Sequence, residues 1–279
     1  MAAVLSAATL AVGVALVVPT GLAAAAPGCS SCTADQAGAP AAGRANTRAN
    51  TRDDAPGGAP GDARADVRAD ARAEEFVVSE AQFHQMFPNR NPFYTYSGLT
   101  AALSAYPEFA NTGGDTVRRQ EAAAFLANVG HETGGLVHVV EQNTGNYPHY
   151  CDASQPYGCP AGQAAYYGRG PLQLSWNVNY KAAGEALGVD LLDNPYLVEQ
   201  DPAVAWKTAL WYWNTQKGPG TMTPHQAMVG GASFGETIRS INGSLECNGG
   251  NPGQVQSRID NYKSFVQILG TTPGDNLSC

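Results

Sequence analysis

The sequence predicts a mainly α-helical domain that begins near Phe76. Three observations support this prediction. Apolar residues beyond Phe76 recur at helical spacing, helix start signals precede several of these stretches, and no run alternates in the manner of a strand. Segments rich in Gly, Pro and Asn separate the helical stretches and are typical of loops. The domain has about 200 residues, which is enough to bury a core.

Residues 1–28 resemble a secretory signal peptide. An apolar run extends from Ala2 to Ala26 and ends in small residues that offer A-x-A cleavage sites, although no Lys or Arg precedes it. A single membrane anchor is the alternative interpretation, and the richness of the run in Ala and Gly disfavours it. We therefore expect the protein to be secreted.

Residues 29–75 are composed mainly of Ala, Gly, Pro, Arg and Asp, with near-repeats and almost no large apolar residue. Such a segment cannot bury a core and is predicted to be a disordered linker. Cys29 and Cys32 lie in it with C-x-x-C spacing. A redox role needs a helix N-terminus beside them, so a local disulfide is the preferred interpretation.

Helix start signals mark the domain of residues 76–279. Ser79 and Gln82 form a capping box, Asp115 is predicted to cap a second helix, and Asp201 followed by Pro202 opens a third. The apolar positions of these helices are Phe83, Met86 and Phe87; Val117, Ala122, Phe125, Leu126 and Val129; and Val204, Trp206, Leu210, Trp211 and Trp213.

Two more helices are predicted near the end of the chain. Ser233 and Glu236 form a second capping box, and a glycine, Gly270, stops the last helix. The apolar positions are Ile238 and Ile241 in the first and Val255, Ile259, Tyr262, Val266 and Leu269 in the second.

Composition and charge exclude some classes of partner. Charged residues make up 14% of the chain, and it contains 32 Gly, 12 Tyr and 4 Trp, a mix that suits a loop-rich secreted domain. The net charge of −8 argues against nucleic acid and against an anionic membrane as partner, because both attract clustered Lys and Arg. A neutral or cationic ligand is compatible.

The folded region contains four cysteines, and in an exported chain these predict two disulfides. They are Cys151, Cys159, Cys247 and Cys279. Sequence permits three pairings. The short spacing between Cys151 and Cys159 suits a bond within one loop, which would leave Cys247 and Cys279 to hold the C-terminus.

Two glutamates form a candidate catalytic pair. The helix from Val117 ends at Glu132, and Gly134 and Gly135 follow it. An apolar helix provides a dry environment that raises the pKa of a carboxyl group towards that of a general acid, and glycines allow a ligand to approach the backbone. Glu141 lies nine residues later, and such a pair is a candidate for glycosidic cleavage. The alternative is a solvated helix-end glutamate and a chance pairing.

His131 and Glu132 also begin a zinc-binding pattern. The H-E-x-x-H pattern requires a histidine at 135, where this chain has Gly135. The sequence therefore predicts no metal site and no cofactor, and it disfavours a metalloprotease. His131 is interpreted as a core histidine or as a support for its neighbour.

Residues 166–180 concentrate Gln, Ser, Asn and aromatic side chains. Amide groups bond sugar hydroxyls and aromatic faces cover the apolar side of a sugar ring, so this composition suits a carbohydrate cleft. A turn-rich structural loop is the alternative interpretation.

Three motifs together resemble the signatures of the plant-type, family 19 chitinases. They are HETGG at 131–135, YGRGPLQLS at 167–175 and INGSLEC at 241–247, in the family's order and close to its spacing. The likeness extends from about Phe76 to Cys279 and is strongest to the compact actinobacterial members. It implies a bilobal, lysozyme-related helical domain with a central cleft, and hydrolysis of β-1,4-linked N-acetylglucosamine polymers with inversion at the anomeric carbon.

The resemblance also implies roles for single residues. Glu132 matches the general acid, Glu141 the general base and Ser175 the residue that helps hold the attacking water. Glu246 and Arg258 match charges that orient and tune the acid. The substrate-binding positions are Tyr166, Gln173, Asn179, Lys207 and Asn242, and the expected disulfides are Cys151–Cys159 and Cys247–Cys279.

An inverting reaction sets a geometric expectation. The two carboxyl groups should lie roughly 6.5–9.5 Å apart to leave room for water. Arg258 would favour the ionised form of Glu132, whereas an apolar environment favours the protonated form, and the sequence leaves open which dominates.

Some positions depart from the family pattern. The loop between Glu132 and Glu141 is shorter than in plant members, Leu136 replaces a frequent aromatic, and Val178 does the same. These changes predict fewer sugar subsites.

Two other functions remain open at this stage. A peptidoglycan hydrolase could use the same fold, although an acidic surface disfavours anionic cell walls. A catalytically inactive chitin-binding protein would lack Glu132 or Glu141, and both are present. The expected partner is chitin or its oligosaccharides, and the secreted protein is expected to be a monomer. We expect it to bind neither nucleic acid nor, once the signal peptide is removed, a membrane.

Overall fold

The computed structural model describes residues 76–231 and 233–279. The predicted signal peptide and linker, with Cys29 and Cys32, lie outside the described residues.

The described residues form nine α-helices and two 3-10 helices. The α-helices are α1 (Glu80–Met86), α2 (Tyr96–Ala102), α3 (Asp115–Glu132), α4 (Asn177–Leu187), α5 (Leu197–Gln200), α6 (Pro202–Thr215), α7 (Pro224–Val229), α8 (Phe234–Glu246) and α9 (Pro252–Ile268). The 3-10 helices are Leu103–Ala105 and Thr144–Tyr150. Over the same residues, extended pairing is limited to the isolated bridges Val140–Arg169 and Arg169–Leu174. The prediction of a mainly α domain is therefore confirmed.

Helix α3 lies at the centre of the core. It contacts α7, α8 and α9, and every residue from 121 to 130 is buried. A helix that is buried on all sides needs apolar neighbours all round. Phe125 meets Phe109, Trp206 and Trp213 at ring-centroid distances of 5.0, 6.1 and 5.4 Å. This packing carries the C-terminal end of α3, and with it Glu132, into the interior of the protein.

Two of the predicted helix starts are confirmed. Ser79 forms the expected capping box with Gln82 at the start of α1. Asp201 caps α6 through Oδ1, which accepts hydrogen bonds from the backbone of Ala203 and Val204 at 2.8 and 3.2 Å. Side-chain oxygens at these positions satisfy backbone N–H groups that the first helical turn leaves unpaired.

Two predicted caps are wrong. Asp115 is the first residue of α3 and Gly114 is its N-cap; the Asp115 carboxylate instead accepts a hydrogen bond from Arg119. At α8, Ser233 is the N-cap residue, but its hydroxyl donates to the carbonyl of Asn276 at 2.5 Å. A contact with the C-terminal segment therefore replaces the local cap.

The predicted end of the last helix is confirmed. Gly270 has a φ of +68°, its N–H donates to Gln267 O, and Thr271 N–H donates to Val266 O. This pair of bonds satisfies the last carbonyls of α9, and the left-handed backbone that it requires suits glycine.

Both expected disulfides, Cys151–Cys159 and Cys247–Cys279, are present. Among the described residues, none of the helices combines the length and the apolar character needed to cross a bilayer.

Candidate active site

Glu132, the last residue of α3, lies against a buried arginine. Its side chain is 5% exposed, and Oε1 accepts a hydrogen bond of 2.5 Å from Nη2 of Arg258 on α9. The same guanidinium also donates to Glu246 on α8, from Nε to Oε2 at 2.8 Å and from Nη2 to Oε1 at 2.7 Å. One arginine thus connects two buried carboxylates from two different helices.

Two asparagines complete this network. Asn128, one turn before Glu132 on α3, accepts from Arg258 Nη1 at 3.1 Å. Asn242 donates to Glu246 Oε1 at 2.7 Å, and it lies at a kink in α8, with φ −143° and ψ 29°. The kink places an amide beside the carboxylate four residues further along the helix.

The two carboxyl groups that contact Arg258 have pKa values shifted in opposite directions. Burial raises the pKa of Glu132, against the opposing effect of Arg258, and the nearby negative charge of Glu246 adds to the increase. Burial would also raise the pKa of Glu246, but hydrogen bonds and charge from Arg258, with a further bond from Asn242, lower it overall. Of the two carboxyl groups, Glu132 therefore binds a proton more readily. This answers the question that the sequence left open, because burial outweighs the effect of Arg258 on the pKa of Glu132.

His131 supports this region as a neutral side chain. Its Nδ1 lies 3.1 Å from Ser257 Oγ, and burial together with the charge of Arg258 lowers the pKa of His131 to about 4. Within the described part of the chain, no group of three or more His, Cys, Asp and Glu side chains is arranged to hold a metal ion.

Glu141 is positioned by short antiparallel pairing. Its N–H donates to Gly168 O, and Gly170 N–H donates to Val139 O, both at 2.8 Å. Arg169 and Leu174 exchange two further backbone bonds, at 3.1 and 2.8 Å. The segment that carries Glu141 is thereby fixed beside the motif at 167–175.

The two oxygens of Glu141 have different surroundings. The residue is 5% exposed, and Oε1 accepts from Asn146 Nδ2 at 2.8 Å. Oε2 is buried and makes no hydrogen bond of normal geometry with the described residues. The hydroxyl of Tyr150 lies near the carboxylate, and burial together with Glu141 raises the pKa of Tyr150. Because a buried carboxylate oxygen without a partner is costly, Oε2 is the atom able to accept a proton from a bound molecule.

Gly168 brings this loop close together. A Cβ atom at Gly168 would lie 3.0 Å from Gln173 Oε1 and 3.2 Å from Ser175 Oγ. Ser175 is buried, and its hydroxyl donates to Gln173 O at 2.8 Å. The absence of a side chain at 168 therefore lets the Gln173 and Ser175 side chains lie directly beside the backbone that holds Glu141.

The other predicted substrate positions are distributed unevenly. Asn179 is buried and donates to Ser175 O at 2.9 Å, and Gln173 donates to Gly170 O at 2.9 Å. Lys207, on α6, is half-buried and has no ion-pair partner within the described residues. Asn242 belongs to the network around Glu246.

Tyr166 lies deeper than the other predicted substrate positions. It is fully buried; its hydroxyl donates to Leu192 O at 2.8 Å and accepts from Ala161 N at 3.1 Å. In this structure Tyr166 supports the loop through these backbone groups, and its role as a substrate contact stays a prediction.

The site thus consists of two clusters, one around Glu132 and one around Glu141. Within the part of the chain that the structure describes, no hydrogen bond joins the two glutamates, so the spacing expected for inversion stays a prediction.

Sequence reasoning missed two of the contacts that hold the glutamates. Asn128 carried a readable signal, since it lies four residues before Glu132 on the same helix face. Asn146 carried none, because it lies in a loop without periodicity.

Comparisons with known proteins identify the family of this chain. Residues 77–279 match glycoside hydrolase family 19, described as chitinase class I. Endochitinase A of Zea mays is 48% identical over 188 residues, which cover 67% of this chain and 63% of that protein. Chitinase 3 of Oryza sativa subsp. japonica is 40% identical over 234 residues, 73% of each chain. This chain therefore spans slightly less than two thirds of the maize protein.

Solved structures share the fold. A bacterial family 19 chitinase is 83% identical, with a TM-score of 0.73 over 73% of this chain and 100% of that chain. Chitinase C from Streptomyces griseus HUT6037 is 77% identical, with a TM-score of 0.73 over 73% of this chain and 81% of that one. Because the family match covers most of the sequence and these structures share its helical domain, the chain belongs to glycoside hydrolase family 19.

Proposed function

We propose that the protein is a secreted, endo-acting chitinase that hydrolyses β-1,4-linked N-acetylglucosamine polymers with inversion. Glu132 is the general acid and Glu141 the general base. One observation carries the proposal: two buried glutamates have opposite surroundings, one with its proton favoured by burial and the other with an unpaired carboxylate oxygen.

In this mechanism, Glu132 donates its proton to the glycosidic oxygen as the bond to the anomeric carbon breaks. Glu141 Oε2 takes a proton from a water molecule, which attacks that carbon from the opposite face. Ser175 lies next to Gly168, whose carbonyl accepts the N–H of Glu141, and is proposed to hold the water. Arg258 then stabilises the newly formed carboxylate of Glu132, because it already donates to Oε1.

Substrate contacts are proposed for the side chains around the two clusters. Gln173 and Asn179 are bonded to the segment 167–175 that pairs with Glu141. Asn242 is bonded to Glu246, and Lys207 is half-buried on α6. Amide groups suit the hydroxyl and acetamido groups of the polymer. The related chitinases support chitin or chitooligosaccharides as substrate.

The test is hydrolysis of a soluble chitin hexamer by the purified protein, with the anomers of the product resolved. Product released as the α-anomer is expected, because the β-linkage is inverted. Release of the β-anomer would overturn the inverting mechanism. Cleavage of peptidoglycan in place of the hexamer would overturn the substrate.

Single substitutions test the two roles. Glu132→Gln and Glu141→Gln should each reduce kcat at least about 100-fold, since each removes general acid or general base catalysis. Glu236→Gln is a matched control on α8, because Glu236 pairs only with Arg239 at a half-exposed site. Full activity in either of the first two variants would contradict the assignment of that residue.

A further inference from the structure

The 3-10 helix Thr144–Tyr150 holds Glu141 at two points. Asn146 Nδ2 donates to the carboxylate oxygen Oε1 at 2.8 Å, and the hydroxyl of Tyr147 donates to the backbone carbonyl of Glu141 at 2.9 Å. One bond orients the carboxylate and the other fixes the main chain that carries it.

The turn that delivers Asn146 is itself fixed. The side chain of Asn143 accepts from Gly145 N at 3.2 Å, and Asn143 O accepts from Asn146 N at 3.0 Å. Asn143 thus caps the 3-10 helix, and none of its hydrogen bonds involves Glu141. The Asn146 amide is therefore presented by a closed turn.

Tyr147 is anchored by a stack of side chains. Its ring lies on that of Tyr167 with centroids 3.7 Å apart and an interplanar angle of 11°. The guanidinium of Arg169 lies 3.5 Å from the centre of the Tyr167 ring and must occupy its other face. Arg169 is fully buried and donates to Glu199 at 2.6 Å, and the Tyr167 hydroxyl donates to the same carboxylate oxygen. Cation–π contacts of a desolvated arginine are among the stronger ones.

Both supports of Glu141 therefore lead to one segment. Gly168 accepts the N–H of Glu141, and the residues on either side of it, Tyr167 and Arg169, form the stack behind Tyr147. A carboxylate held in this way keeps one orientation, with Oε1 bound to a donor that cannot accept a proton and Oε2 left to receive one.

We propose that Asn146 and Tyr147 are positioning residues that orient the Glu141 carboxylate, so that Oε2 receives the proton of the attacking water. The inference rests on the proposed role of Glu141 as the base. It assigns a function to the segment 144–150, which none of the three recognised motifs contains.

Steady-state hydrolysis of the chitin hexamer tests the inference. Asn146→Ala should lower kcat about 10- to 100-fold, with KM changed less than about twofold, because misorientation affects the chemical step more than binding. Tyr147→Phe keeps the stack but removes the bond to the carbonyl of Glu141, and it should lower kcat about 2- to 10-fold.

Two variants separate positioning from packing. Asn146→Asp has the same shape but replaces the N–H donor by an oxygen that repels Glu141, and it should lose at least as much activity as Asn146→Ala. His149→Ala changes an exposed side chain of the same 3-10 helix without removing any hydrogen bond to Glu141, and its kcat should stay close to that of the parent protein. Equal losses in His149→Ala and Asn146→Ala, or a change confined to KM, would overturn the proposal.

A double substitution distinguishes this inference from the proposed function. In a Glu141→Gln background, Asn146→Ala should cause no further loss of kcat, because the residue acts through Glu141. If Glu141→Gln is inactive and Asn146→Ala is fully active, only the positioning role of Asn146 is contradicted. A fully active Glu141→Gln variant would overturn both.

Discussion

At the scale of single residues, Glu132 and Glu246 compete for one guanidinium. Arg258 gives Glu246 two hydrogen bonds and Glu132 one, and Asn242 gives Glu246 a third. Hydrogen bonds from donors favour the ionised form of a carboxylate. Glu246 therefore carries the negative charge that neutralises Arg258, and Glu132 can hold a proton beside a positively charged side chain.

This competition predicts the effect of Glu246→Gln. Loss of the Glu246 charge leaves Arg258 facing Glu132 alone, so the pKa of Glu132 should fall from its raised position. The basic limb of the pH profile of kcat/KM should move to lower pH, and kcat at neutral pH should fall about 10-fold or more. Hydrolysis of the chitin hexamer measured across the pH range checks this.

The matched control at this scale is Glu236→Gln, which changes a glutamate on the same helix without touching Arg258. Its pH profile should coincide with that of the parent protein. An unshifted basic limb in Glu246→Gln would show that Glu246 does not tune the acid.

Sequence reasoning identified the charged residues of the site but only part of what surrounds them. Glu132 and Glu246 lie in two of the three motifs, the family resemblance implied Arg258 as well, and the structure joins all three side chains. The amides of Asn128 and Asn146 were not predicted. Each of these amides makes contacts that only the tertiary fold brings about. Whether burial or the charge of Arg258 dominates the pKa of Glu132 also depends on distances in the fold, which the spacing of residues in the sequence does not determine.

At the scale of elements, α3 carries a second buried glutamate three turns before Glu132. Glu121 Oε2 accepts from Ala110 N at 3.0 Å, and Oε1 accepts from Trp213 Nε1 at 3.0 Å. The same Oε1 lies 2.7 Å from Nδ1 of His225, which belongs to α7. Glu121 therefore ties α3 to α6, to α7 and to the loop before α3.

This link predicts a pH-dependent contribution to stability. The hydrogen bond to Glu121 raises the pKa of His225, burial opposes it, and the charges of Glu121 and Glu108 add to the increase. Because the folded state binds this proton more tightly, the stabilisation is fully present below the ordinary pKa of histidine and is lost as the pH rises through the raised value. The melting temperature of the parent protein should therefore fall more between about pH 6 and 9 than that of His225→Asn.

Thermal unfolding at several pH values measures the difference. His149→Asn is the control, because His149 is exposed, and it should keep the pH slope of the parent protein. Identical slopes in the parent and in His225→Asn would contradict the role of the pair.

His131 affects stability in a separate pH range. Because its pKa is lowered to about 4, it removes stability only as the pH falls below the ordinary pKa of histidine.

The helices show where local signals suffice. Ser79 and Asp201 cap their helices as predicted, through hydrogen bonds to residues two or three positions further along the chain. Ser233 fails as a capping-box residue since the C-terminal segment supplies a carbonyl that no local pattern reveals. The start of α7 was missed although Thr223 and Gln226 form a capping box with readable spacing.

At the scale of the whole domain, the C-terminal segment after α9 packs back across earlier helices. Side chains on α3 reach it: Arg119 donates to Leu269 O and Gln120 to Thr272 O, both at 2.7 Å. The backbone N–H of Gly235 donates to Asn276 O at 3.1 Å. The segment therefore joins α3 and α8, the helices that carry Glu132 and Glu246.

The two disulfides should differ in how much they stabilise this arrangement. Cys247–Cys279 spans 32 residues and Cys151–Cys159 spans 8. In the chain-entropy model a longer loop restricts the unfolded state more, with about 4 kcal/mol expected for the first bond and about 2.5 kcal/mol for the second. Replacing Cys247 and Cys279 together by Ala should therefore lower the melting temperature by about 2–6 °C more than replacing Cys151 and Cys159.

Differential scanning calorimetry of the two double variants measures this order directly. The hydrogen bonds of Arg119, Gln120 and Gly235 remain in the Cys247→Ala, Cys279→Ala protein, so it should still unfold in one cooperative transition from a lower temperature. A larger loss on removing Cys151–Cys159 would mean that native contacts of the short loop beside Glu141, and not the entropy of the unfolded chain, dominate the contribution of these bonds.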